Sequence, residues 1–280
     1  MLRFLAALPL SFFHALGIAL GWTVWLLSPR FRRLTRENLA AAGYTDTTLL
    51  RRSVAEAGKG VLELIPIWFR PQAEAALLIR EAPAGAVIEQ ALAAGKGVII
   101  VTPHLGCFEL IAQFYTHRYG PMTALFSPPK KNLLSLLISA GRGKPRLKLA
   151  EPTMLGIRSL YRALKNGEAV GILPDQTPGL GKGEWAEFFG RPAYTMTLVQ
   201  RLAESTGAQI VLNYAERLPG GAGYRGYAEA MPSREPGESA TRHLNRALEN
   251  LIRRCPEQYL WSYNRYKVPA GVETPPGAGG

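Results

Sequence analysis

Hydrophobic positions change their rhythm along the chain. Positions 4 to 27 read FLAALPLSFFHALGIALGWTVWLL, with no formal charge. Wound as one helix, such a run is roughly 36 Å long, more than a bilayer core of about 30 Å. Residues 47–69 then place Leu49, Leu50, Val54, Val61, Leu62, Leu64 and Ile65 at helix-like intervals, and 85–94 predicts another helix ended by Gly95. Beyond Gly97 short buried runs alternate with amphipathic ones. Strands are expected at 97–101, 122–126, 146–150, 169–173 and 208–216. Helices are expected at 106–118, 132–139, 153–165 and 192–205. This alternation predicts an α/β layered domain with a mainly parallel central sheet, preceded by one N-terminal membrane helix.

The pattern divides the chain into a membrane-anchoring helix over 1–29, a cytoplasmic domain over 30–268 and a flexible tail over 269–280 that ends ETPPGAGG. Trp22 and Trp25 lie near the far end of the apolar run, as interfacial aromatics do. Arg30, Arg32, Arg33 and Arg36 follow it, against Arg3 before it, which places the following domain in the cytoplasm. A cleaved leader would carry its charges the other way round. A helix lying in the interface is the alternative to a spanning one, given Pro9, Ser11, His14 and two glycines within the run.

The net charge of +12 points to anionic partners, and the apolar segment favours lipid headgroups and an acidic carrier over nucleic acid. Cys107 and Cys255 stand in unlike contexts without metal-ligand spacing, so neither a disulfide framework nor a metal site is expected. Residues 221–226, GAGYRG, match a dinucleotide-binding glycine pattern, but strand-like runs on both sides make them a hairpin turn. Neither a phosphate-binding G-x-x-x-x-G-K-[ST] nor a G-x-S-x-G nucleophile elbow occurs.

Candidate chemistry concentrates in IVTPHLGCFELI, where His104 precedes Glu109 by five positions. On one regular helix such residues point about 140° apart, so the pair works only if His104 is outside the helix. Pro103 disfavours a helical Thr102 and so places His104 in the strand-to-helix loop, with Glu109 in the first turns that follow. Ligands of open α/β sheets bind at such loops. A neutral imidazole there can take a proton from an alcohol while a carboxylate fixes its tautomer. A structural hydrogen-bonded histidine is the competing reading. Cys107 is expected to pack rather than react.

PHLGCFE resembles the H-x-x-x-x-[DE] signature of glycerolipid acyltransferases. In its Glu form, behind one apolar helix, it resembles that of the bacterial lipid A biosynthesis acyltransferases. LISAGRGK is similar to that family's G-R segment, GILPDQTPG to its P-D-[QH] motif, EWAEFFGRPAYTMT to its F-F-G block and PEQYLWSYNRYK to its closing motif. The resemblance spans residues 1–268. It implies a glycerolipid-acyltransferase-like fold, His104 as general base, Glu109 as its orienting partner and Arg142 as an oxyanion stabiliser.

It further implies an acyl thioester co-substrate on acyl carrier protein or CoA, no bound cofactor, and a site on the cytoplasmic face of a bacterial inner membrane. The acceptor would be a hydroxyl of a lipid A precursor, an anionic membrane lipid. Asp175 and Gln176 would shape the acceptor site, and Lys130, Lys131 and Lys144 would meet phosphates or the carrier. One departure bears on the acceptor: where many members carry a Tyr-Arg-Pro-like triplet, this chain reads FSPPKK. Another lysolipid acceptor, a lipid hydrolase using the same pair, and a catalytically silent membrane-bound binding protein remain alternatives.

Overall fold

The computed structural model describes residues 2–81, 85–128 and 140–275. Lys130, Lys131 and the helix expected at 132–139 lie outside the described residues. The body is a seven-stranded sheet in the order β1-β9-β8-β2-β5-β3-β4. Its strands are β1 (Ile79–Glu81), β2 (Val98–Val101), β3 (Met122–Leu125), β4 (Leu147–Ala150), β5 (Ala169–Ile172), β8 (Gln209–Arg217) and β9 (Tyr224–Ala230). From β8 to β4 every neighbouring pair is parallel, while β9 pairs antiparallel with β8, and β1, parallel to β9 at the edge, runs the same way as β9.

Strand β2 shows why the sheet is covered on both faces. All four of its residues are buried, and successive side chains of a strand point to opposite faces. Ile99 and Val101 enter one core with Leu160, Leu202, Leu248 and Leu251, while Val98 and Ile100 enter another with Ile67, Ile88, Leu110 and Tyr115. The first core is closed by α9 (Met154–Lys165), α10 (Leu198–Thr206) and α11 (Ala240–Ile252), and the second by α5 (Leu64–Phe69), α7 (Gly85–Ala93) and α8 (Phe108–Arg118). Thr153 and Ser239 cap α9 and α11 by accepting from the backbone N–H three residues on, each such cap stabilising by about 1 kcal/mol.

Three sequence expectations need correction. Residues 192–205 form not one helix but the strand β7 (Arg191–Met196) followed by α10. β7 pairs antiparallel with β6 (Gly183–Phe188). Phe189 and Gly190 both have positive φ (48° and 73°), the requirement of a two-residue primed hairpin turn. Residues 47–69 break into α4 (Thr47–Leu62) and α5, because Pro66 in the first turn of α5 has no N–H to continue the ladder. Residues 29–41, expected only as a basic cluster, form α3 (Pro29–Ala41), capped by Ser28. The glycine-rich GAGYRG stretch, by contrast, belongs to a hairpin as expected: residues 221–223 lie in the turn that joins β8 to β9, and 224–226 open β9.

The N-terminal run folds as α1 (Leu2–Ala6) and α2 (Leu10–Leu27), and α2 is long and apolar enough to cross a membrane. It does not stand apart from the domain expected to begin at residue 30. Gly17 and Gly21 press against the backbone of Gly58 and Lys59 in α4, so closely that a Cβ on Gly58 would collide with the carbonyl of Gly17. Small residues at this spacing let two helix backbones touch. Arg70 extends the junction by donating to the carbonyls of Ala6 and Leu8. The expected tail also begins as structure: Trp185 Nε1 donates to the carbonyl of Glu273.

Candidate active site

In the parallel part of the sheet, β2 and β5 are adjacent and end together, Val101 opposite Ile172. The loops that follow carry His104 and Asp175, and they meet. His104 Nδ1 lies 2.8 Å from Asp175 Oδ1, and the backbone N–H of His104 donates to Asp175 Oδ2 at 2.8 Å. The carboxylate is fully buried while the imidazole stays partly open, with 2% and 14% of their side chains exposed. Burial raises the Asp175 carboxyl, but the charge of His104 and two hydrogen bonds from that residue outweigh it and hold the group below the ordinary carboxylate range. An ionised Asp175 accepts a hydrogen bond from Nδ1–H, which keeps the ring proton there and leaves the lone pair on Nε2. Gln176 Nε2 lies 3.1 Å from that lone pair, and the Phe108 ring flanks the imidazole at 4.7 Å between centroids.

The loop that aims His104 is held by the chain's closing segment. The carbonyl of His104 accepts from the N–H of Leu260, the carbonyl of Gln258 accepts from Gly106, and Leu105 bridges Tyr259. Gly106 has φ +59°, and a Cβ there would collide with the carbonyl of Ala215, so only glycine allows the turn. Asp175 is braced from the same side. Thr177, two residues on, donates to the Tyr263 hydroxyl through its N–H and to the Arg265 carbonyl through Oγ1. Arg265 is itself buried and lies across the Phe188 ring, donating to the Tyr194 carbonyl and to Thr195 Oγ1. The YNRYK ending therefore acts on the site through the loop that it clamps.

Glu109 sits in the first turn of α8, as the sequence reading placed it, but it does not pair with His104. Both ring nitrogens of His104 have other neighbours, and the Glu109 carboxylate faces Arg142 instead. Arg142 donates through Nε at 2.9 Å to Oε2 and through Nη2 to Oε1, and Trp68 Nε1 donates to Oε2 at 3.0 Å. Arg142 also lies over the Phe126 ring, 4.6 Å from its centroid. The expected orienting partner of His104 is thus the counter-ion of the expected oxyanion stabiliser, and the orienting carboxylate is Asp175, expected only to shape the acceptor site. Trp68 was missed altogether, and it anchors more than Glu109: a Cβ on Gly141 would fall 2.5 Å from its ring. Lys144 Nζ donates to the carbonyls of Trp68 and Arg70 at the end of α5, which commits this ammonium to a helix C-terminus.

At the start of α8, Cys107 is the N-cap residue and supplies no side-chain cap. Its own N–H donates to the Ala215 carbonyl and that of Leu110 to the Cys107 carbonyl, which leaves the N–H groups of Phe108 and Glu109 for an anion. The thiol is buried, and burial pushes it well above its ordinary value, which suits the packing role expected of it. The site thus combines a half-open imidazole with its tautomer fixed, a neutralised Glu109–Arg142 pair and a helix N-terminus at one end of the sheet. That combination can remove a proton from a hydroxyl and stabilise an oxyanion without a covalent enzyme intermediate.

Residues 1–268 match the family model described as bacterial lipid A biosynthesis acyltransferase. The lipid A biosynthesis lauroyltransferase of Escherichia coli (strain K12) is 26% identical over 275 residues, covering 95% of this chain and 89% of that protein. The lipid A biosynthesis palmitoleoyltransferase of the same organism is 30% identical over 193 residues, 66% of this chain and 60% of that protein. A lipid A biosynthesis acyltransferase of Haemophilus influenzae is 26% identical over 176 residues, 62% of this chain and 55% of that protein. The chain belongs to the bacterial lipid A biosynthesis acyltransferase family.

Proposed function

We propose that the protein transfers a fatty acyl chain from a thioester, on acyl carrier protein or CoA, to a hydroxyl of a lipid A precursor. The acceptor hydroxyl displaces Gln176 from His104 Nε2 and gives that nitrogen its proton as its oxygen attacks the thioester carbonyl. Asp175 stabilises the imidazolium so formed. The opening N–H groups of α8, with the Arg142 guanidinium, face the tetrahedral oxyanion. Collapse breaks the C–S bond, and the departing sulfur takes the proton back from His104. The observation that carries this reading is the contact between His104 Nδ1 and the buried Asp175, which leaves Nε2 as the working base.

The same reading places the protein at the cytoplasmic face of a bacterial inner membrane. With one face of α2 packed on α4, its outer face offers Phe12, Leu16, Ile18, Leu26 and Leu27 to lipid. A helix docked on one side and greasy on the other suits the membrane interface better than an isolated span. Labelled acyl carrier thioester and a lipid A precursor, incubated with the purified protein, test the proposal. Acylated lipid is expected; free fatty acid as the sole product would mean a hydrolase, and no turnover a binding protein.

A further inference from the structure

Because β2, β3, β4 and β5 are parallel, the loops after each open at the same end of the sheet as His104. Four large apolar side chains stand exposed there or beside it: Met154 (72%), Leu155 (76%), Leu180 (61%) and Val268 (45%). They come from separate segments that touch. Lys182 Nζ donates to the carbonyl of Pro152, which joins the loop of Leu180 to the entry of α9. A Cβ on Gly271 would lie 3.2 Å from Leu180, which joins that loop to the turn after Val268. Single exposed leucines are ordinary, but a contiguous group is not. Nor does folding call for these side chains: α9 buries Leu160, Ala163 and Leu164, and Thr153 caps its start.

The surroundings indicate the partner. Helix α9 carries Arg158, Arg162 and Lys165 and no acidic residue. Lys182 and Lys267 are exposed at the other margins, and the exposed acidic residues nearby in sequence are Glu151, Glu184 and Glu273, so the cations outnumber them. An apolar tip backed by a basic helix fits an anionic lipid surface, which attracts each Lys or Arg held near it. We propose that Met154, Leu155, Leu180 and Val268 enter the lipid surface as a second membrane contact, apart from the N-terminal helix. The site then lies between two anchors. Helices α2 and α4 meet the end of β8, where Arg217 bonds Glu56 and Gly221 touches Ser11, and the second contact lies beyond β4 and β5. This deepens the membrane-lipid reading of the site and rests on it.

Both native cysteines are buried, so a new surface cysteine can be labelled selectively. The full-length protein is made in separate variants Leu155→Cys, Leu180→Cys, Leu26→Cys on α2, and Ser205→Cys on α10. Ser205 is exposed at the opposite end of the sheet, near where Gly207 meets Lys96 ahead of β2. Each carries an environment-sensitive fluorophore and is mixed with phosphatidylglycerol vesicles with and without brominated acyl chains. Labels at 155, 180 and 26 are expected to shift to the blue and be quenched, and the label at 205 to do neither. Water-like emission at 155 and 180 while 26 is quenched would overturn the proposal. So would a blue shift at those two positions with an acidic carrier protein but not with vesicles. A second readout is turnover by the Met154→Ser/Leu155→Ser/Leu180→Ser variant. It should fall about tenfold or more on vesicle-borne acceptor and hold on detergent-dispersed acceptor. Lipid insertion without turnover in the unsubstituted protein would sink the acyl-transfer reading alone, and turnover without insertion would sink this one alone.

Discussion

At the scale of single residues, the site holds two carboxylates with different tasks, and their partners tell them apart. Asp175 touches the imidazole; Glu109 touches a guanidinium and an indole. Asp175→Asn keeps the shape but removes the charge that fixes the tautomer and stabilises the imidazolium. A fall in kcat of about a hundredfold or more is expected, with KM little changed and the thermal midpoint close to that of the parent. Initial rates against both substrates check it. Glu109 should behave as one unit with Arg142. Glu109→Gln and Arg142→Gln are each expected to lower kcat, and together to cost less than the sum of their effects by about 0.5–3 kcal/mol. Glu109→Gln should add independently to Asp175→Asn. A double-mutant cycle on kcat distinguishes this arrangement from one in which Glu109 orients His104 directly.

At the scale of elements, the junction of α2 with α4 lends itself to a test by sign. In an exposed helix, Gly→Ala stabilises by up to about 1 kcal/mol. At Gly58 the added methyl would meet Gly17 and Gly21, so Gly58→Ala is expected to destabilise by about 1–3 kcal/mol, read by chemical denaturation of the full-length protein. A gain would mean that α2 leaves α4 free. This junction was not legible in the sequence, because α2 is apolar nearly all round. Its buried stripe, Leu10, Phe13, His14, Gly17, Gly21 and Trp25, is picked out by size and fit and not by hydrophobicity. Strands β2 and β5 were legible, since a run buried on both faces needs no knowledge of its partners, whereas the three-residue edge strand β1 was passed over. The hairpin of β6 and β7 was not, because its turn uses Phe189–Gly190 in place of the Asn-Gly or Asp-Gly that signals such turns. Helix α11 was passed over entirely, although its pattern is strongly amphipathic. For the site, the motifs pointed to His104 and Asp175 one by one. Their partnership across 71 residues depends on β2 lying next to β5, a fact of sheet order that no local pattern carries.

At the scale of the whole molecule, one buried charge cluster joins the N-terminal helices to the sheet. Arg217, at the end of β8, donates to Glu63 through Nε at 2.7 Å and Nη2 at 2.5 Å, and to Glu56 of α4 through Nη1 at 2.5 Å. Tyr224, at the start of β9, donates its hydroxyl to Glu63 at 2.8 Å, and His14 of α2 places Nε2 3.4 Å from the same carboxylate. Burial alone would raise the Glu63 carboxyl, but the charge and hydrogen bonds of Arg217 prevail and hold it at about 2, below its usual 4.5. A carboxylate lowered on folding stabilises the native state above its unfolded pKa and loses that contribution as pH falls toward the folded one. Acid should therefore loosen this junction between about pH 4.5 and pH 2. Arg217→Met leaves Glu63 buried without its cation and is expected to cost about 3–5 kcal/mol at neutral pH, while Arg217→Met with Glu63→Gln recovers part of the loss. If the cluster is what makes one cooperative unit of helices and sheet, the unsubstituted protein melts in one transition and Arg217→Met in two, the N-terminal helices first. Calorimetry, with fluorescence from a label on α2, reads both steps; a single lowered transition would mean that glycine packing alone holds the layer in place.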